Sequence, residues 1–134
     1  MADGFNPAGV VRPFGAFSNA AWVSEGRLLY ISGQVAIDED GNIVGKGDFR
    51  AQTQYVLDLI GRILADAGGT FDDVVSVNVF LPAMTYLEAC HEVRRLYFKQ
   101  PFPSSTLVQV TALVRPELMI EVNAVAAIRP RRPR

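Results

Sequence analysis

A chain of 134 residues, 49% hydrophobic and 20% charged, has the size and apolar content of one compact domain. The formal net charge is −1, but four of the 13 basic groups sit in the last six residues, RPRRPR, so the rest carries nine basic against 14 acidic groups, about −5. A body of that sign is a poor binder of phosphate backbones, and the tail at 129–134 reads as a solvated, disordered end beyond a single domain spanning 1–128.

Residues 1–16 hold three Gly and two Pro and are expected to be irregular. AAWVSEGRLLYISGQ follows as two short strands about a turn at Ser24-Glu25-Gly26. The second, Arg27 to Ser32, is apolar enough to be buried on both faces and stops at Gly33. Turn residues then surround a short extended piece at Ile43-Val44. Asp48 can cap a helix whose stripe is Val56, Leu59, Ile60, Ile63, Leu64 and Ala67, ended by Gly68-Gly69. Val75 to Leu81 alternates as a strand. Thr85 and Glu88 form the pattern of a capping box ahead of a second helix with the stripe Tyr86, Cys90, Val93, Tyr97. After PFPS come two strands, about Thr106–Val114 and Leu118–Ile128, joined near Arg115-Pro116.

The predicted order is β-β-α-β-α-β-β, with both helices on one face of a sheet. Leu29, Ile31, Val77, Val79, Val108, Val110, Ile120 and Val122 offer more apolar surface than two helices can hide, which points to an oligomer packed sheet against sheet. The single cysteine, Cys90, excludes an intrachain disulfide and fits a reducing compartment. No secretory signal opens the chain and no apolar run reaches spanning length, so a cytoplasmic protein without a membrane partner is expected.

No phosphate loop, nucleophile elbow or zinc-ligand set occurs, and one His beside one Cys cannot build a metal site. Chemistry has to come from polar residues at strand ends. Glu121 stands between Ile120 and Val122; it is either a surface residue of an edge strand or an acid or base that orients a water. Asn123 shares its face. Ser32-Gly33-Gln34 is either a plain strand end or a place where a ligand approaches the backbone. His91 lies off the apolar stripe, where a lone helical histidine ordinarily faces solvent; Arg94 and Arg95 are expected to face solvent, and Cys90 to be core.

GAFSNA, YISGQVAID, AQTQYVLDLIGRILADAGGTFDDVVSVNVFL, STLVQVTAL and LMIEVNAVAAI stand in the order found in the Rid family, the reactive-intermediate deaminases also called YjgF-like proteins. The resemblance covers residues 13–128. It implies a chorismate-mutase-like α+β fold, a homotrimer with clefts between subunits, and hydrolysis of enamines or imines to ketoacids and ammonia with no bound cofactor and no metal. It matches Glu121 to the family's water-placing glutamate, Ser32 beside Gly33 to the strand-end serine, Phe17 to a usual tyrosine, and His91 to a usual helical asparagine. The family's carboxylate-gripping arginine, in a P-A-R-S/T segment, falls on Ser105 of Pro103-Ser104-Ser105-Thr106. A serine hydroxyl replaces a planar charged fork. The expected substrate is therefore an imine, enamine or related small electrophile other than a standard 2-imino acid, hydrogen-bonded by Ser32, Ser105 and Thr106. His91, Arg115 or a neighbour's Arg12 is the candidate to replace the lost cation. A trimer that binds a small metabolite without turning it over is the alternative reading. An endoribonuclease or translation inhibitor is the weaker one, since the body is acidic.

Overall fold

The computed structural model describes residues 2–23 and 25–130. Ser24 of the expected turn and residues 131–134 of the basic tail lie outside the described residues. The elements are β1 (Ala2–Phe5), β2 (Ala20–Val23), β3 (Arg27–Gln34), α1 (Phe49–Asp66), β4 (Val74–Leu81), α2 (Leu87–Tyr97), β5 (Ser104–Gln109) and β6 (Glu121–Ile128). Four strands form a mixed sheet in the order β3-β6-β4-β5. Strand β6 is antiparallel to β3 and β4, and β4 is parallel to β5 through the α2 crossover that parallel pairing requires. Both helices pack on one face of this sheet, as their single apolar stripes demand.

Asp48 caps α1 as expected, accepting the Ala51 N–H at 3.1 Å. The buried face is Phe49, Gln52, Thr53, Val56, Leu57, Ile60 and Leu64, whereas Leu59 and Ile63 are half-buried and Ala67 is exposed. Gln52 and Thr53 are polar, yet both are satisfied inside the core. Thr53 Oγ1 donates to Phe49 O at 2.8 Å. Gln52 Nε2 donates to Glu117 O at 2.9 Å and Gly45 O at 3.3 Å, and its Oε1 accepts the Met119 N–H at 2.8 Å. A pattern drawn on apolar residues alone cannot see such positions.

Three expectations about local structure are corrected. Thr85 and Glu88 form no capping box, because a 3-10 turn over Met84–Tyr86 runs directly into α2 and leaves Tyr86 at the N-cap in the helical region. Such a box forms instead at Thr70 and Asp73. The lead-in is not wholly irregular, since β1 pairs antiparallel with β2, with Phe5 stacked on Trp22 at 5.9 Å. The last two strands are shorter than expected: β5 ends at Gln109 and β6 starts at Glu121. Between them a connection turns Leu118 and Ile120 into the core and is clamped there by Gln52.

The apolar surplus on the sheet is also distributed differently. Ile31, Val77, Val79, Ile120 and Val122 are core residues beneath the helices. Of the residues expected to make the surplus, Val108 is exposed and Leu29 and Val110 are half-buried. The open face draws its exposed apolar surface from Val108 together with Leu28 and Tyr30, which register places opposite the outward residues Ala127 and Val125. The β1–β2 ribbon covers only part of it, with Ala21 against Val75 and Ala127.

Removing the Gln52 clamp leaves the Glu117 carbonyl and the Met119 N–H buried without partners. Gln52→Ala is expected to lower unfolding free energy by about 2–4 kcal/mol, read as a lower urea midpoint at unchanged slope.

Candidate functional site

A cavity of about 450 Å³ lies where α2, β5 and residues 11–19 meet, and Phe17, His91, Ser105 and Thr106 line it. These are four of the seven residues singled out from the sequence. Arg12, Asn19 and Arg94 line it as well. The outer wall is held on the fold by Ser18, whose N–H donates to Pro103 O at 2.8 Å, and stiffened by an edge-on contact of Phe14 with Phe17 at 5.3 Å.

His91 does not face solvent; it is 3% exposed. Its Nδ1 accepts the Ala16 N–H at 3.4 Å. Gly15 admits the ring, since a Cβ there would lie 2.2 Å from the imidazole Cε1. With Nδ1 accepting, the neutral ring carries its proton on Nε2, which has no hydrogen-bond partner. Burial, then Arg94 and Arg95, push the His91 pKa below its ordinary value, against a smaller opposing pull from Glu88. The residue is a neutral donor at pH 7.

Arg94 corrects a further expectation. It is 1% exposed, three residues after His91 on the same side of α2. Its Nη2 donates to Ser105 Oγ at 3.0 Å and to Ala16 O at 3.2 Å. Nε and Nη1 have no partner, and no carboxylate pairs with it among the described residues. Burial disfavours its charged form, and Arg95 adds to that. Helix α2 thus buries two neighbouring strips: Cys90 and Val93 against the sheet, His91 and Arg94 against residues 14–17 and β5. The signal available in the sequence was a histidine and an arginine at helical spacing beside the apolar stripe. Cys90 is the core residue expected, with burial pushing its thiol up to about 11, out of the range of a nucleophile at neutral pH.

Ser32, Gly33 and Glu121 form a second place. Ile31 pairs with Ala124 and Gln34 with Val122, so Ser32 and Gly33 together oppose Asn123 and make a β-bulge. The Glu121 carboxylate packs over it: a Cβ on Gly33 would lie 2.2 Å from Glu121 Oε2. The half-buried Glu121 opens β6, two strands from β5 and level with Val108 rather than Ser105, so within one chain it is set apart from the cavity both across the sheet and along it. Of the candidate replacement cations, His91 lines the cavity and Arg115, 3.9 Å from Glu117, does not; Arg12 lines the cavity of its own chain, whereas the expectation placed it in a neighbour's. Among the described residues no group of three or more His, Cys, Asp or Glu could hold a metal, and no helix is long and apolar enough to cross a membrane.

A family model described as Endoribonuclease L-PSP matches residues 10–128. A 3-aminoacrylate deaminase, RutC of Acinetobacter baylyi, is 38% identical over 101 residues, 75% of this chain and 79% of that protein. A RutC family protein of Pyrococcus horikoshii is 36% identical over 115 residues, 86% of this chain and 89% of that protein. The solved structure of YyfB from Yersinia pestis, a Rid-family protein of unknown function, is similar with a TM-score of 0.85 at 36% identity, covering 95% of this chain and 98% of that one. The fold is the chorismate-mutase-like α+β arrangement of these relatives.

Because the native state holds His91 neutral, the unfolded chain binds its proton more readily. Stability contributed by the neutral ring is present above the ordinary histidine value near 6.5 and is lost as pH falls below it. His91 is the one histidine of the chain. Urea unfolding at about pH 5.5 to 7.5 is expected to show stability rising with pH, and His91→Asn to flatten that rise.

Proposed function

The chain belongs to the endoribonuclease L-PSP family, the group also called YjgF or Rid, and from this we propose that it hydrolyses a reactive enamine or imine in a cleft between copies of itself. The observation that carries the reading is the Glu121 carboxylate packed over the Ser32–Gly33 bulge, a preformed carboxylate beside open backbone at the rim of an uncovered sheet face. A homotrimer supplies the rest. Leu28, Tyr30 and Val108 are exposed on that face, and a neighbouring copy seated there would bring its cavity toward Glu121.

The chemistry asks little of the protein. An imine carbon is already electrophilic. Glu121 accepts a proton from a water as the oxygen bonds to that carbon, and the proton passes to nitrogen. The carbinolamine then collapses, the C–N bond breaks, ammonia leaves and a carbonyl remains. Substrate and water enter, and carbonyl compound and ammonia depart, with no redox change and no cofactor needed.

The second reading is a trimer that binds a small metabolite without turning it over. Phe17 favours it, since a phenyl ring stands where the resemblance expects a tyrosine hydroxyl, and single-turnover assays separate the two. RNA cleavage is the least favoured role, given the acidic body.

Two outcomes are expected. Glu121→Gln should lower whatever imine or enamine hydrolysis the wild type shows, across substrates with and without a 2-carboxylate, by about 10²–10⁴-fold with KM little changed; an unaltered rate would remove the water-positioning role. Sedimentation at micromolar concentration should give three copies, with Tyr30→Glu shifting the protein toward monomer.

A further inference from the structure

Four buried side-chain polar atoms lack a hydrogen bond among the described residues: Asn19 Oδ1, His91 Nε2, and Arg94 Nε and Nη1. All belong to residues that line the one cavity, and its lining includes Arg12, Arg94 and His91 but no Asp or Glu. A buried guanidinium without a counter-ion is costly, because desolvation is not offset by an opposite charge. The unpartnered atoms of His91 and Arg94 are closed off behind the lining of the same 450 Å³ opening. An anion in the opening would offset the Arg94 charge at short range, through groups that do reach the opening.

Ser105 connects the cation to that space. Arg94 Nη2 divides its two protons between Ser105 Oγ and Ala16 O. Ser105 Oγ accepts from Arg94, so its own proton turns away from the guanidinium, and this half-buried hydroxyl lines the cavity. We propose that Arg94 and Ser105 act as one composite anion anchor, with the hydroxyl donating to a ligand carboxylate and the guanidinium behind it supplying the charge. The premise that Ser105 leaves the site without a cation therefore does not hold. The charge comes from α2 rather than from β5. No two-pronged fork faces the ligand, so the grip is less directional than a direct arginine–carboxylate pair.

The rest of the lining says what the anion carries. Val11, Phe14, Phe17, Met84, Leu87 and Leu107 are apolar. The ligand is a small monocarboxylate with an apolar, preferably aromatic, body. This inference deepens the deaminase reading and rests on it only for treating the bound acid as the substrate's carboxylate end.

Calorimetric titration with 3-phenylpropanoate and its neutral amide, 3-phenylpropanamide, tests it. The wild type is expected to bind the acid at least about tenfold more tightly than the amide. Arg94→Met should abolish that preference, Ser105→Ala should reduce it, and Arg94→Lys should keep part of it. Ser105→Ala deletes one partly exposed hydroxyl, so it decides the question if Arg94→Met fails to fold. Equal affinities for acid and amide in the wild type, including no binding of either, would overturn the anchor, as would a preference unchanged in Ser105→Ala and any folded Arg94 variant. Hydrolysis of imino acids is assayed alongside. Acid binding that follows Arg94 without hydrolysis removes the deaminase reading and leaves the anchor. Hydrolysis with unchanged KM in the variants removes the anchor and leaves the deaminase.

Discussion

The Arg94 guanidinium, buried with no carboxylate to meet it among the described residues, is the constraint on which the cavity depends. It is held by a backbone carbonyl, Ala16 O, and a side-chain hydroxyl, Ser105 Oγ, and so ties together a helix, the segment before β2 and an edge strand. His91 repeats the tie from the preceding turn by accepting the Ala16 N–H. Residue 16 is thus gripped through both its backbone groups by side chains of α2. These contacts wall the cavity and leave four buried side-chain polar atoms of its lining residues without a hydrogen bond among the described residues.

The second half of the chemistry depends on backbone geometry instead. A bulge at Ser32–Gly33 and the missing side chain of Gly33 let the Glu121 carboxylate lie flat against β3. The bulge bends β3 alone, while Glu121 keeps regular register with Phe80 of β4. The cavity and Glu121 stand on different parts of the chain, and the exposed apolar residues Leu28, Tyr30 and Val108 lie on the same sheet face as Glu121.

Much of this architecture was legible along the chain. The apolar repeat of α1 and its Asp48 cap and the alternation of β4 are local signals, and their elements stand where local physics puts them, whereas β3 runs on through Gly33 to Gln34 because Gln34 pairs with Val122. Two of the misses share a cause. Ala2–Phe5 became a strand because β2 was there to pair with it. Leu118 left its strand because the core and Gln52 drew the connection inward. Both outcomes were decided by a partner distant in sequence. The lost Thr85 cap is local: Thr85 lies inside a 3-10 turn that runs into α2.

The same division holds for the site. Residue types, spacings and the order of segments were enough to identify the family and the two-helix sheet fold, and the resemblance to that family pointed to Phe17, His91, Ser105 and Thr106, which the structure places along one cavity. The sequence by itself also marked the serine at position 105. Only the tertiary structure decided what that serine means. Arg94 reads as a surface residue on an isolated helix, since arginine is seldom buried. It is buried because residues 14–17 and β5 close over the second strip of α2, and no pattern within the helix encodes what will be packed against it.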